Sequence, residues 1–168
     1  TVFTLSWGTG QLGFTRQQFL LLQMIGVIFF ALTIPISALG ADRIGRWPML
    51  MVASVLVFVF GLLFEPLFSS GNALQVTVFL SIGLGLMGMT YGALGTAIAD
   101  LFPTAVRYTG ASVAFNIAGI LGGSVAPYAA TYLATHYGIA FVGYYLSAAA
   151  LVTFAAQLLL RRPAAQTA

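Results

Sequence analysis

Two short stretches hold most of the charge in this chain. The first reads Gly40-Ala41-Asp42-Arg43-Ile44-Gly45-Arg46-Trp47-Pro48, and the second runs from Asp100 through Leu101-Phe102-Pro103-Thr104 to Arg107-Tyr108-Thr109-Gly110. Each sets an acid near arginine at the edge of a long apolar run, so the chemistry on offer is ion pairing. Asp42 and Asp100 supply carboxylates; Arg43, Arg46 and Arg107 supply guanidinium donors. Two uses are open. Pairs made in one conformation and broken in another form a latch, whereas charges fixed at an interface anchor helices and satisfy their ends. Catalysis is poorly served. The chain has no cysteine, which removes thiolate metal sites and nucleophiles, and the lone His136 cannot build a metal site. No metal and no cofactor are expected. Gly83-Leu84-Gly85-Leu86-Met87-Gly88 has dinucleotide-motif spacing, but it sits inside an apolar helix without the preceding strand that motif needs.

The elements that carry these stretches are set by composition. Of 168 residues 60% are hydrophobic and only 5% charged, and the mean hydropathy is +1.02. Soluble domains are about 25% charged, so nine charged side chains cannot cover a water-soluble globule of this size. The chain belongs in a bilayer. Its net charge of +3 comes from six scattered arginines, not from the one-sided cluster a nucleic-acid binder presents.

A spanning helix needs about 20 apolar residues. Five stretches reach or approach that length: Phe19 to Leu39, Pro48 to Phe68, Leu74 to Ala99, Thr109 to Ala134, and Ile139 to Leu160. They are too long, and lack the alternation, for barrel strands. The expected fold is therefore all-α, a polytopic transmembrane helix bundle. Residues 1–18 read as the end of a truncated helix and an outer loop, and residues 161–168 as a polar tail. One side of this map collects Arg43, Arg46, Arg107, Arg161 and Arg162, against only Arg16 on the other. The positive-inside rule makes that side, and the C-terminus, cytoplasmic.

Within the spans, small residues recur on single helix faces. Ser81, Gly85, Gly88, Gly92, Thr96 and Ala99 form one stripe, and Gly119, Gly122, Gly123, Ala126 and Ala130 another. Such stripes let backbones approach closely, as in the pairs Gly88/Gly92 and Gly119/Gly123. They serve plain packing or a seam along which helices slide. Pro35 and Pro127 should kink their helices, and Pro127 after Gly122-Gly123-Ser124 predicts a bent or unwound segment. No acid falls at mid-depth, since Glu65 lies near the outer end of its span. The uncharged polar candidates for a cavity lining are Tyr91, Asn116 and Gln23. For the amides, an interhelical hydrogen bond is the alternative.

Asp42-Arg43-x-Gly45-Arg46 in a tight loop between two spans resembles the signature loop of the major facilitator superfamily. Asp100 to Thr104 with Arg107 to Ser112, followed by Ile120-Leu121-Gly122-Gly123-Ser124-Val125-Ala126-Pro127, is closely similar to its metabolite:proton symporter family. There are departures: Ala38 stands for the usual leading glycine, Trp47 for a basic residue, and Asp100 for the common glutamate. The resemblance implies the C-terminal part of a twelve-helix major facilitator fold. It implies proton symport of a small organic acid or osmolyte, such as shikimate, 2-oxoglutarate, citrate, proline or betaine, by alternating access in the inner membrane. It further implies a cytoplasmic gate of Asp42, Arg43, Gly45, Arg46, Asp100 and Arg107, with Arg43 and Arg46 reaching acids that include Asp100. The seam glycines of the fourth span, Gly119 and Gly123, would pack against a missing N-terminal half, so that Gly123→Leu damages packing. An uncoupled facilitator and a non-transporting scaffold or sensor remain the alternatives.

Overall fold

The computed structural model describes residues 1–160; Arg161, Arg162 and the tail to Ala168 lie outside the described residues. Among the described residues the chain is helical throughout, in the order α1 (Val2–Gly10), α2 (Arg16–Ile44), α3 (Arg46–Leu62), α4 (Phe64–Phe68), α5 (Ala73–Ala99), α6 (Arg107–Tyr137) and α7 (Ile139–Leu160). Four of these, α2, α5, α6 and α7, are long and apolar enough to cross a bilayer, and α3 is a shorter apolar helix. At 1.5 Å per residue, the 29 residues of α2 extend about 43 Å.

Local chemistry sets the boundaries. Thr15 accepts from the Gln18 amide while the Gln18 side chain accepts from the Thr15 amide, a reciprocal cap that starts α2. Gly45 separates α2 from α3 with φ +98°, a backbone that side chains rarely adopt, and its N–H donates to Ala41 O at 3.0 Å. The apolar run from Pro48 to Phe68 does not continue as one helix: it is interrupted at Leu63. Pro66 explains the break, since it has no N–H for the Leu62 carbonyl and its ring crowds that carbonyl. Two prolines deep inside longer helices act differently. Pro35 and Pro127 lie inside unbroken helices, so the expected unwinding before Pro127 does not occur. There the hydrogen bonds on both sides hold the helix, and only the Gly123 carbonyl loses its donor.

Packing is uneven. α2 lies along α5, and α3 lies along α7 and against α5. Phe60, Phe64, Phe68 and Phe79 stack into one cluster between α3, α4 and α5, with neighbouring centroids 4.6–5.0 Å apart where they meet Phe79. At the opposite end Ala41, Met49, Leu50, Ala93 and Ala97 form a smaller core beneath the charged turn. α6 stands apart. Of its 31 residues only Ala130 and Ala134 are buried, so nearly the whole helix offers its surface.

Candidate functional site

At the charged end, Arg46 opens α3 and Asp100 follows α5, and their side chains form an ion pair. The Gly45 turn makes this possible by bringing the start of α3 back beside the end of α5. Both side chains are close to half exposed, 40% and 47%. Asp42 and Arg43 occupy the last turn of α2 and are exposed, without an ion pair among the described residues. Arg107 turns its Nε to Phe102 O at 3.4 Å and does not join Asp100. Of the six residues the family resemblance put into one gate, the structure pairs two, and Gly45 shapes the turn between them. Asp42, Arg43 and Arg107 stay outside that pair.

A recess of about 740 Å³ opens further along the bundle between α1, α5, α6 and α7. Tyr91 of α5 lines it, facing Phe115, Gly119, Gly122 and Gly123 of α6. The Tyr91 ring is held edge-on by Phe30 at 5.8 Å and Phe115 at 6.4 Å, so three helices fix its position. Asn116 and Gln23 do not line this recess. Asn116 is exposed, and its Nδ2 donates back to Ser112 O at 2.8 Å within its own helix. The Gln23 side-chain oxygen is enclosed, with no hydrogen-bond partner among the described residues.

The two glycine stripes have different fates. On α5, a Cβ at Gly92 would lie 2.5 Å from Ile34 O and 2.8 Å from the Ser37 Cβ, and one at Gly88 would overlap Thr33 and the Phe30 carbonyl. This stripe is where α2 and α5 touch backbone to backbone, and Ser37 Oγ donates across it to Met89 O. On α6, a Cβ at Gly119, Gly122 or Gly123 would meet nothing within 4 Å. Those glycines line the recess, with no close neighbour among the described residues. Gly123→Leu meets no neighbour among these helices, so it is expected to leave their own packing intact while cutting any uptake that uses the recess. Detergent extraction and uptake, measured side by side on the full-length protein, check this; loss of folded protein would place a packing partner on the Gly123 face.

Sequence reasoning missed a second close approach. Gly61 of α3 and Gly143 of α7 meet so closely that a Cβ on Gly61 would lie 2.7 Å from Gly143 O. Ser147 Oγ donates to Phe58 O at 2.9 Å, and Ser54 Oγ donates to Gln157 Oε1 at 3.2 Å along the same seam. The spacing Gly143-x3-Ser147 was the available signal.

An ion-paired turn at one end of a membrane bundle, a recess along its bare helix and small-residue helix crossings are features of a carrier fold, and the comparisons agree. The Major Facilitator Superfamily profile matches residues 1–168. The inner membrane metabolite transport protein YhjE of Escherichia coli (strain K12) is 44% identical over 164 residues, covering 95% of this chain and 37% of that protein. The shikimate transporter of the same organism is 28% identical over 167 residues, or 96% of this chain and 37% of its own. Its proline/betaine transporter is 29% identical over 133 residues, or 77% and 25%. No solved structure matches. The chain thus spans about a third of the length of the first curated relatives it matches. With the profile running from end to end, the chain belongs to the major facilitator superfamily.

Proposed function

We propose that the chain is the C-terminal part of an inner-membrane, multi-pass carrier that moves a small organic acid or osmolyte by alternating access, coupled to protons. The observation that carries this reading is the recess itself. It lies on the uncovered face of α6, at the depth of Tyr91, where a preceding half of the protein would close it. Substrates in such carriers bind near the midplane between two halves. Transport suits this recess, whose polar groups are hydroxyls such as Tyr91 and Tyr145 set in an apolar wall.

In this reading Arg46–Asp100 is a latch at the cytoplasmic end, and Asp42, Arg43 and Arg107 find their partners in the other half or in another conformation. The C-terminus lies in the cytoplasm on the arginine count. Coupling is the finer part of the proposal. The three acids of the chain are Asp42, Glu65 and Asp100, and all stand at helix ends, which favours a second reading, a facilitator without proton coupling.

Uptake by the full-length protein in proteoliposomes separates the two. Labelled shikimate, dicarboxylates, proline and betaine are offered with and without an inward proton gradient. Gradient-driven accumulation of one compound is the expected result. Equilibration without accumulation would leave the facilitator, and no uptake by folded protein would favour the scaffold.

A further inference from the structure

A second recess, of about 460 Å³, lies at the charged end between the close of α5 and the opening of α6. It is lined by Thr104, Arg107, Tyr108 and Ser112, with Ala99 and Ala111 as its apolar floor. Its polar groups are all donors in waiting. Arg107 is held through Nε by Phe102 O at 3.4 Å, and its terminal guanidinium nitrogens have no partner among the described residues. Phe102 is itself seated over Gly110, where a Cβ would overlap its ring. That contact ties the loop carbonyl that orients Arg107 to the first turn of α6.

Several hydroxyls of these helices are spent on a carbonyl of their own turn. Thr33, Thr77, Thr131 and Thr153 each donate to the carbonyl four residues before. Ser112 Oγ instead stands 3.4 Å from Asn116 Nδ2, which donates to it, and its own proton has no acceptor among the described residues. Nor does an acid line the recess: the nearest in sequence, Asp100, is taken by Arg46. One guanidinium and several free hydroxyl donors, with no competing carboxylate, suit an anion of carboxylate or phosphate type.

The position of the recess gives the anion a role. Tyr108, Ser112, Phe115, Gly119 and Gly123 follow one another at helical spacing along one face of α6. The second recess thus lies next to the larger one along the same helices, Phe115 and Ile98 of the larger wall being one turn and one residue from Ala111 and Ala99 of the smaller. We propose that the Arg107–Ser112 recess is an anion subsite on the route between the Tyr91 recess and the charged end, where a carboxylate or phosphate group pauses on passing. This rests on the transport reading for its route, though not for its binding chemistry.

Alkylation of a single introduced thiol tests it, since this segment has no cysteine of its own. Ala111→Cys places a thiol on the recess floor without removing a donor, and Val113→Cys, exposed on another face, is the control. Any cysteines elsewhere in the full-length protein are first replaced. Succinate and inorganic phosphate are the probes, in membrane vesicles of the full-length protein. At about ten times its Kd, a probe is expected to slow alkylation at Ala111→Cys roughly tenfold and leave Val113→Cys unchanged. Adding Arg107→Gln should abolish the protection. Equal rates with and without both probes, or equal slowing at both thiols, would overturn the subsite. The same vesicles are assayed for uptake: protection without uptake of any compound keeps the anion site and removes the route. Uptake without protection keeps transport and removes the site.

Discussion

Gly92→Leu is expected to remove most of the folded full-length protein from the membrane, whereas Gly95→Leu, three positions along the same helix, leaves its level unchanged. The difference is one of neighbours. At Gly92 the first added carbon already stands 2.5 Å from Ile34 O, a backbone atom of α2 that cannot rotate away. At Gly95 an added carbon meets nothing within 4 Å. Forcing a leucine between α2 and α5 must part the most extensive helix contact among the described residues, and also draws Ser37 from Met89 O. Overpacking costs up to about 3 kcal/mol, and destabilisation by even about 1–2 kcal/mol changes cellular abundance several-fold. Size-exclusion of detergent-extracted protein measures the effect. Equal monodisperse peaks for the two variants would show that the α2–α5 crossing is not what holds this part of the fold together.

The second large effect concerns the ion pair. Asp100→Asn is expected to lower uptake about fivefold and Asp100→Arg about thirtyfold, with normal extraction in both cases. An exposed pair contributes about 0–1 kcal/mol, and Arg46 and Asp100 are both near half exposed. That is too little to decide folding. It is enough to shift a balance between two conformations, where 1–2 kcal/mol changes the populations by about 5–30-fold. Neutralising Asp100 loses the attraction; reversing it adds repulsion of similar size. The double exchange Arg46→Asp with Asp100→Arg should recover most of the uptake, since it restores opposite charges in the same place. If the double variant transports no better than Asp100→Arg alone, the pair is not a latch and the anchoring role stands in its place.

Family and membrane character were legible in local sequence. Apolar length is a property of consecutive residues, so the long helices α2, α5, α6 and α7 follow from hydropathy alone. The acid and base spacing around Gly45 and from Asp100 to Arg107 is likewise local, and it carried the resemblance that the profile match bears out. Even the break at Leu63 had a local signal in Pro66, because a missing donor acts on the carbonyl four residues before.

Partner choice was not legible. The α5 and α6 stripes look alike in sequence, yet Gly88 and Gly92 press on α2 while Gly119 and Gly123 face an open recess. A run of small residues says where a backbone can come close, but not which neighbour arrives. The same holds for the polar groups. Tyr91 and Asn116 both sit well inside their helices, but only Tyr91 points into the recess, because Phe30 and Phe115 grip its ring while Asn116 folds back on Ser112. Among four nearby charges, Arg46 and not Arg43 or Arg107 reaches Asp100. By itself the sequence determined which segments are helices, which ends carry charge and which family they belong to, since those depend on neighbours along the chain. Only the tertiary structure decided which faces meet, because that depends on the rotation of each helix about its axis and on the neighbour that fills the space.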